Sequence, residues 1–432
     1  MFRYIYKCVF FAIRLMLPFL KRKYPKLKER ELHTKQTIST LLEFRLKNKD
    51  KTIIWIHAAS TGEFEQAKPV IEEIKREIPT SVVCVSFFSP SGYHAHKEYE
   101  LTDCIVYLPL DIKNNAKRFI EELSPNIAIF IRYDLWYNYL YFLKKNDIPA
   151  FCICTTLSAS LPKNFLYSLY YKKVLQLCTK VYTANKDEFQ KITEYFPNVT
   201  VENSSDTRFD RIISIVEQQS SLELTKDNFD SQKPIIVAGS TWREDEHLFF
   251  QMYISDKKKL PFTLILVPHE PTPMHVQQLK SMFTTSILWS EIEQNPDNFK
   301  QNTPSIIIVD SIGKLLRLYS LADAAYIGGG FGSGVHSTAE PAGYGIPLCS
   351  GRFIDRSPDA LALRKDKALT VIENTQELRQ WISLVVMNKE ARLRRGFYAR
   401  NYIYSRQGAT KKIHSDIVEI LSKREHSTIP QE

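Results

Sequence analysis

The feature that most restricts this 432-residue chain is an alternation between short, almost uninterrupted apolar runs and longer segments of helical character. The first runs are Ile53–His57, Val82–Phe88, Ile105–Leu108, Ile127–Ile131, Ala150–Cys154 and Lys180–Ala184. A strand with one wet face alternates apolar and polar side chains, so runs this continuous belong to strands covered on both faces. The stretches between them, such as Glu63–Glu77 and Asn114–Leu123, predict crossover helices. Strand-then-helix repetition implies right-handed crossovers and a parallel sheet. Ser214–Lys233 is polar and reads as a helix end followed by a linker. The alternation then restarts with Ile235–Gly239, Phe262–Val267, Ser305–Val309, Ala324–Gly328, Ile346–Ser350 and Leu369–Ile372. The expected fold class is α/β, with two Rossmann-like, doubly wound domains facing a central cleft. Ligands of such sheets bind beyond the carboxyl ends of the strands. We expect an N-terminal segment at residues 1–35, a first domain at 36–215, a linker at 216–233 and a second domain with a terminal helix at 234–432. The last helical stretch, Lys389–Leu421, is expected to help tie the lobes together.

Charge is spread unevenly. Residues 1–35 hold ten Lys/Arg against Glu29 and Glu31, a net +8 of the whole chain's +10. Beside them lies the apolar run Cys8–Leu20, broken by Arg14 and Pro18. A basic segment next to an apolar one suits an anionic lipid surface. The run is short of the ~20 residues of a spanning helix and lacks a small-residue cleavage site. The preferred expectation is an amphipathic membrane-associating helix lying in the interface; a helix packed on the protein itself and a single short span stay open. No basic stripe interleaved with aromatics runs through the body of the chain, so nucleic acid is not expected as a partner. The seven cysteines are scattered without a CxxC pair, which argues against a disulfide framework or a zinc knuckle. Cys152 and Cys154 are expected on one face of a buried strand as small apolar groups.

Seven of the fourteen glycines fall within Gly328–Gly345, in YIGGGFGSGVHSTAEPAGYGIP, between a strand and a helix expected to begin near Ser337–Thr338. Glycine admits positive φ and close backbone approach, and N–H groups at a helix start hold phosphate. Glu340, one turn on, is placed to accept from ribose hydroxyls. The spacing is neither GxGxxG nor GxxxxGK[ST], which disfavours a dinucleotide-dependent oxidoreductase and a P-loop enzyme. No Asp-x-Asp pair occurs, so the usual metal clamp for a nucleotide diphosphate is missing.

His336-Ser337-Thr338-Ala339-Glu340-Pro341, followed by Gly345-Ile346-Pro347, resembles the GGHNxLEP…G.P stretch of the bacterial 3-deoxy-D-manno-octulosonic acid (Kdo) transferases, which are GT-B glycosyltransferases. The resemblance implies that Ser337, Thr338, Ala339 and Glu340 bind the CMP of a CMP-Kdo donor, with Ser337 where Asn is usual. Leu264–Pro271 (LILVPHEP) is similar to the family's LVPRHP and puts Pro268 and His269 on the cytidine side, His269 replacing Arg. Val309–Asp323 is similar to GDTMGELxxLYxxAD and puts Ile312, Gly313 and Lys314 against the nucleotide, Lys314 replacing Glu. Each of these also reads as an ordinary loop proline, cap glycine or solvated lysine.

His57 and the following AASTGEFEQAKP resemble the family's HxxSxGE, whose Glu is the catalytic base; here that is Glu63. Inverting transfer needs one carboxylate to take the proton of the attacking hydroxyl. Glu63 fits equally a helix-start carboxylate in a capping box with Ser60. Ser205–Arg211 (SDTRFDR) resembles TGxxKFD and implies that Arg208 stabilises the transition state; a salt bridge to Asp206 or Asp210 is the plainer alternative. Ile131–Asn138 (IRYDLWYN) resembles ETELWPN with two departures, Arg132 and Asp134 standing where the family has Glu. Arg132 cannot replace a Glu chemically, so it is assigned to the acceptor side, with Asp134 as the available carboxylate. The resemblance runs from the basic segment to Gln407-Gly408-Ala409 in six ordered motifs. It implies inverting, metal-independent transfer of Kdo to lipid IVA in lipopolysaccharide synthesis, with no cofactor, at the cytoplasmic face of the inner membrane. A GT-B enzyme using a UDP-sugar and a non-catalytic lipid-surface protein are the rival readings.

Overall fold

The computed structural model describes residues 2–157, 165–218, 225–231, 233–255, 260–295 and 305–428. Part of the expected linker, residues 219–224 and 232, lies outside them. The chain divides into two compact units, Met1–Arg211 with Gln407–Glu432, and Ile212–Arg406.

In the first unit the apolar runs form β1 (Ile53–Ala58), β2 (Val82–Phe87), β3 (Cys104–Tyr107), β4 (Ile127–Ile131), β5 (Ala150–Thr155), β6 (Lys180–Thr183) and β7 (Val201–Asn203). All pair in parallel in the order β3-β2-β1-β4-β5-β6-β7. β1, β2, β4 and β5 are buried at every residue. Alternate side chains serve different cores: Ile53 and Trp55 join Phe119 and Tyr139, while Ile54 and Ile56 join Phe64 and Ile71. β7 is partly exposed and was not expected, because its Val-Glu-Asn offers no apolar run. Cys152 and Cys154 do not share a face. Cys154 has φ +53 and the β5–β6 register slips between Cys152 and Thr155, so Cys152 joins one core and Cys154 the other.

The second unit repeats the plan with β8 (Ile235–Thr241), β9 (Thr263–Pro268), β10 (Ile287–Leu288), β11 (Ile306–Ile308), β12 (Ala324–Ile327), β13 (Leu348–Gly351) and β14 (Leu369–Ile372). They are parallel, in the order β10-β11-β9-β8-β12-β13-β14. Strand order reverses between β1 and β4 in one unit and between β8 and β12 in the other. Those two points are where such sheets open to ligands.

The unit boundaries differ from the expected ones. The first crossing falls inside helix Thr207–Glu217, ahead of the polar segment. The terminal stretch is two helices, Lys389–Tyr404 and Ala409–Thr428, parted at Gly408 with φ +104. Asp210 caps the second by accepting the N–H groups of Gly408 (2.6 Å) and Thr410 (2.7 Å). Ile413, Ile417 and Leu421 recur every fourth residue and pack in the Ile54 core of the first unit. Each buried side chain of this kind contributes about 1.5–3 kcal/mol. Residues 407–432 therefore leave the expected 234–432 domain: the stripe shows that the helix is covered, but not by which sheet.

The N-terminal segment forms helices Phe2–Lys23 and Pro25–Lys47. The second is built into the first unit: Leu41 and Phe44 enter the core, and Thr37 donates to the Tyr107 carbonyl at 2.9 Å. Arg30, counted above among the lipid-facing charges, is 6% exposed. It donates to the Leu108 carbonyl at 2.7 Å and lies 3.8 Å above the Phe88 ring, which removes it from that set. In the first helix Tyr6 packs against Tyr137 and Tyr170, and Phe10 against Trp136, while Val9, Leu15, Met16 and Phe19 are exposed. No described helix is long and apolar enough to cross a membrane.

Tyr6 donates its hydroxyl to Asp111, which also accepts the Asn138 N–H at 3.0 Å. Burial pushes the Asp111 carboxyl up to about 6, against partial opposition from these hydrogen bonds. A carboxyl raised in the folded state favours folding at low pH, and that contribution is lost as pH rises through about 6. Asp111→Asn should therefore change the unfolding free energy more favourably at pH 8 than at pH 5, by roughly 1–1.5 kcal/mol between the two. Equal effects at both pH values would show that the carboxyl titrates normally.

Candidate active site

β1 runs out at His57-Ala58, and Ser60 takes an extended conformation that opens helix Thr61–Glu77. The Ser60 N–H donates to the Glu63 carboxylate at 3.1 Å, the return half of a capping box. Glu63 is thus a helix-start carboxylate, as the plainer reading had it, and it sits at the carboxyl end of β1, at the strand-order reversal. It is 5% exposed. Burial and the neighbouring Asp134 push its carboxyl above the ordinary range, against His57, the Ala59 backbone and Arg132.

A second carboxylate lies beside it. Asp134 Oδ2 is 2.8 Å from His57 Nε2 and accepts the Trp136 indole N–H at 3.0 Å. His57 is fully buried, its Nδ1 3.0 Å from the Ser86 carbonyl and 2.9 Å from the Ser86 hydroxyl, which itself accepts from the Trp55 indole at 2.9 Å. With the proton on Nε2, that N–H donates to Asp134 and Nδ1 accepts from the Ser86 hydroxyl. Strand register brings this about, since His57 on β1 lies opposite Ser86 on β2 and Phe130 on β4. Sequence reasoning singled out Asp134, gave His57 only as the start of the HxxSxGE-like motif without a role, and missed Ser86. The sequence offers only polar residues near the ends of two apolar runs, without showing that the two strands pair. Arg132 follows β4 directly, with φ +61 and a buried Nε that has no hydrogen-bond partner.

Arg208 reaches the same region through helix Thr61–Glu77. The Thr207 hydroxyl donates to the Gln66 carbonyl (2.6 Å), and the Gln66 amide to Asp206 (2.8 Å), one turn beyond Glu63. Arg208 lies 3.3 Å from Asp206 as an ion pair, with its side chain 38% exposed. Asp210 is not its partner, being spent on the cap described above.

In the second unit the glycine-rich turn follows β12. Gly329 has φ +87, and a Cβ there would lie 2.4 Å from the Gly334 carbonyl oxygen. A buried carboxylate holds the turn: Asp245 accepts the N–H groups of Gly329 and Trp242 at 2.9 Å each, and the Tyr326 hydroxyl at 2.6 Å. Thr338 and Ala339 are buried at the start of the short helix Ala339–Gly343; Ser337 is exposed and Glu340 half-buried. The Thr338 hydroxyl is buried without a hydrogen-bond partner.

Pro268 ends β9, and His269 stacks on both Trp242 (4.8 Å) and His336 (4.4 Å). The Trp242 indole donates to His336 Nε2 at 2.8 Å, which requires that nitrogen unprotonated. Burial and His269 lower the His336 pKa, in the same sense. The structure thus brings His269 and Pro268 to the HSTAEP stretch. Ile312 is 80% exposed in the turn after β11, and Gly313 has φ +86. Lys314 is ion-paired with Glu293. Trp242 and Asp245, absent from the sequence-based set, follow β8 at the strand-order reversal.

A cavity of about 550 Å³ lies elsewhere, lined by Arg45, Lys49, Asn126 and Arg424 at the amino ends of β1 and β4. Arg45 and Arg424 donate there to the carbonyls of Lys49 and Asp147. Cations beside helix carboxyl ends account for that cavity's charge without a ligand.

Residues 26–211 match the sequence model of the family described as 3-deoxy-D-manno-octulosonic-acid transferase (kdotransferase). The chain is 23% identical over 372 residues to a 3-deoxy-D-manno-octulosonic acid transferase of Haemophilus influenzae, covering 83% of this chain and 85% of that one. It is 26% identical over 350 residues to one of Chlamydia trachomatis, covering 79% of each. It also matches a bifunctional glycosyltransferase/methyltransferase of Fusobacterium nucleatum at 24% identity, covering 88% of this chain but 58% of that longer protein. Among solved structures, the fold is similar to a putative UDP-N-acetylglucosamine 2-epimerase of Listeria monocytogenes (TM-score 0.58, 12% identity, 86% of this chain and 97% of that one). MurG of Acinetobacter baumannii is comparable (TM-score 0.53, 13% identity, 85% and 99%). Both likenesses are to two-domain GT-B-type folds.

Because Asp134 helps to hold the Glu63 proton affinity up, Asp134→Asn should move the Glu63 carboxyl midpoint down, toward the ordinary glutamate range. Carbon-13 NMR of labelled glutamate carboxyls, with Glu63 assigned by Glu63→Gln, measures this. An unmoved or higher midpoint would show that the two carboxylates are not coupled.

Proposed function

We propose that this chain, a glycosyltransferase of the 3-deoxy-D-manno-octulosonic-acid transferase family, transfers Kdo from CMP-Kdo to lipid IVA in lipopolysaccharide synthesis. Transfer proceeds with inversion and without a metal, at the cytoplasmic face of the bacterial inner membrane. The observation that carries the reading is Glu63: a nearly buried carboxylate at the strand-order reversal, whose proton affinity is raised although backbone groups at Ala59 and Ser60 hydrogen-bond to it.

The chemistry follows from that carboxylate. An acceptor hydroxyl oxygen attacks the anomeric carbon of Kdo as the bond from that carbon to the CMP phosphate oxygen breaks. Glu63 takes the hydroxyl proton, and the electron pair of the broken bond leaves on CMP. Attack opposite the leaving group inverts the centre. A raised carboxyl pKa makes Glu63 a stronger base than a solvated glutamate. The departing monophosphate carries less charge than a diphosphate. Arg208 supplies compensation, in place of a divalent ion. In the second unit, Pro268, His269, Ile312, Gly313 and the Ser337–Glu340 stretch take the nucleotide. Lys314 contributes only after exchanging Glu293 for phosphate.

Membrane association draws support from the exposed Val9, Leu15, Met16 and Phe19 of the first helix and from Phe165, Leu166 and Tyr167 of helix Phe165–Leu175. An apolar face beside basic residues suits a lipid interface.

Glu63→Gln should cut turnover with CMP-Kdo and lipid IVA by about 10²–10⁴-fold while CMP affinity stays near wild type. Comparable turnover in the mutant removes Glu63 from the role. EDTA should leave the rate unchanged; a loss restored by Mg²⁺ would sink the metal-free mechanism. Protection by UDP but not CMP would hand the site to a UDP-sugar.

A further inference from the structure

Arg132 is the residue where this chain departs furthest from the motif it otherwise resembles, and its surroundings are unlike those of the unit's other partly buried cations. Its backbone lies at φ +61, a region that side-chain-bearing residues seldom adopt. The neighbouring strand enforces it: the Arg132 N–H donates to the Ile153 carbonyl at 2.8 Å, and the Arg132 carbonyl accepts the Cys152 thiol at 3.0 Å. The direction in which the side chain leaves β4 is therefore set by β5.

The guanidinium has no compensating partner. Nε is buried and makes no hydrogen bond, and the side chain forms no ion pair among the described residues. Its one ring contact is loose, with Tyr133 at 5.9 Å. Neither nearby carboxylate forms an ion pair with it. Asp134, two residues on, is taken by His57 and Trp136, and Glu63 accepts the Ser60 N–H. Yet Arg132 stands close enough for its charge to act on Glu63. Arg30 and Arg208 also have a buried Nε without a hydrogen bond, but each guanidinium has a partner: Arg30 the Leu108 carbonyl and Phe88, Arg208 the Asp206 carboxylate; Arg211 pairs with Glu65 and Glu72. A partly dehydrated guanidinium left without an acceptor is unfavourable unless an anion completes it. Backbone strain held by its surroundings is also a recurrent mark of a functional position.

We propose that Arg132 is the binding residue for an oxyanion of the substrates, a sugar phosphate or a sugar carboxylate, seated beside Glu63. Its Nε–H and one terminal N–H form a planar edge that matches two oxygens of such a group. This rests on the Kdo-transfer reading, in which both chemistries are on offer: phosphate on the acceptor, carboxylate on the donor sugar.

The test is steady-state kinetics on the full chain with Arg132→Gln, Arg132→Lys and Arg132→Gly. Glycine fits the backbone, so Arg132→Gly should keep or raise the unfolding temperature while removing the site. Arg132→Gln and Arg132→Gly should raise one KM by about 10–100-fold with kcat little changed, and Arg132→Lys should fall between. If the acceptor phosphate is the ligand, wild type and mutants converge on dephosphorylated acceptor. If the donor carboxylate is, the rise appears in the KM for CMP-Kdo with either acceptor. Unchanged KM values, or a loss confined to kcat, in folded mutants overturn the assignment. Should wild type transfer nothing from CMP-Kdo, the functional reading fails by itself. Calorimetry with inorganic phosphate and with free Kdo then judges Arg132: binding weakened in Arg132→Gly sustains it, and binding equal in both proteins, or absent from both, refutes it.

Discussion

Parallel strands cannot be joined by a tight turn. Every connection must cross back over the sheet, and where successive crossovers depart to opposite faces the ends of two central strands are left uncovered. That constraint acts twice in this chain, between β1 and β4 and between β8 and β12. His57, Glu63, Arg132 and Asp134 leave the first opening; Trp242, Asp245 and the glycine-rich turn leave the second. Charged and strained residues gather there because the adjoining strands, buried on both faces, leave them nowhere else to go.

The buried carboxylates show how similar burial serves different ends. Asp245 accepts three donors and fastens the turn at Gly329. Glu246 accepts the Thr241 hydroxyl and lies 2.9 Å from His275. Both are spent on structure. Glu63 is almost as buried as these but is held only by backbone groups at Ala59 and Ser60, so lone pairs stay available to a hydroxyl.

Much of this was legible in the sequence. All twelve continuous apolar runs correspond to strands, because burial on both faces leaves a composition that needs no context to recognise. The two strands that escaped, Val201–Asn203 and Ile287–Leu288, are short edge strands defined by pairing. Glu63 could be placed at a helix start from Ser60-Thr61-Gly62 alone. The Asp134–His57–Ser86 chain could not, because it depends on which strands are neighbours. The shift of Cys154 to the opposite core, the burial of Arg30 and the recruitment of Asp245 share that limit: each depends on contacts remote in sequence. The assignment of residues 407–432 failed for the same reason.

That terminal helix makes the first unit discontinuous in the chain. Its sheet is complete by Asn203, but Ile413, Ile417 and Leu421 arrive only after all of Ile212–Arg406 has been made. During synthesis the second unit has every one of its strands before the first has its final covering helix. A chain made only as far as Arg406 thus has the described strands of the second unit while the Ile54 core still lacks these three side chains.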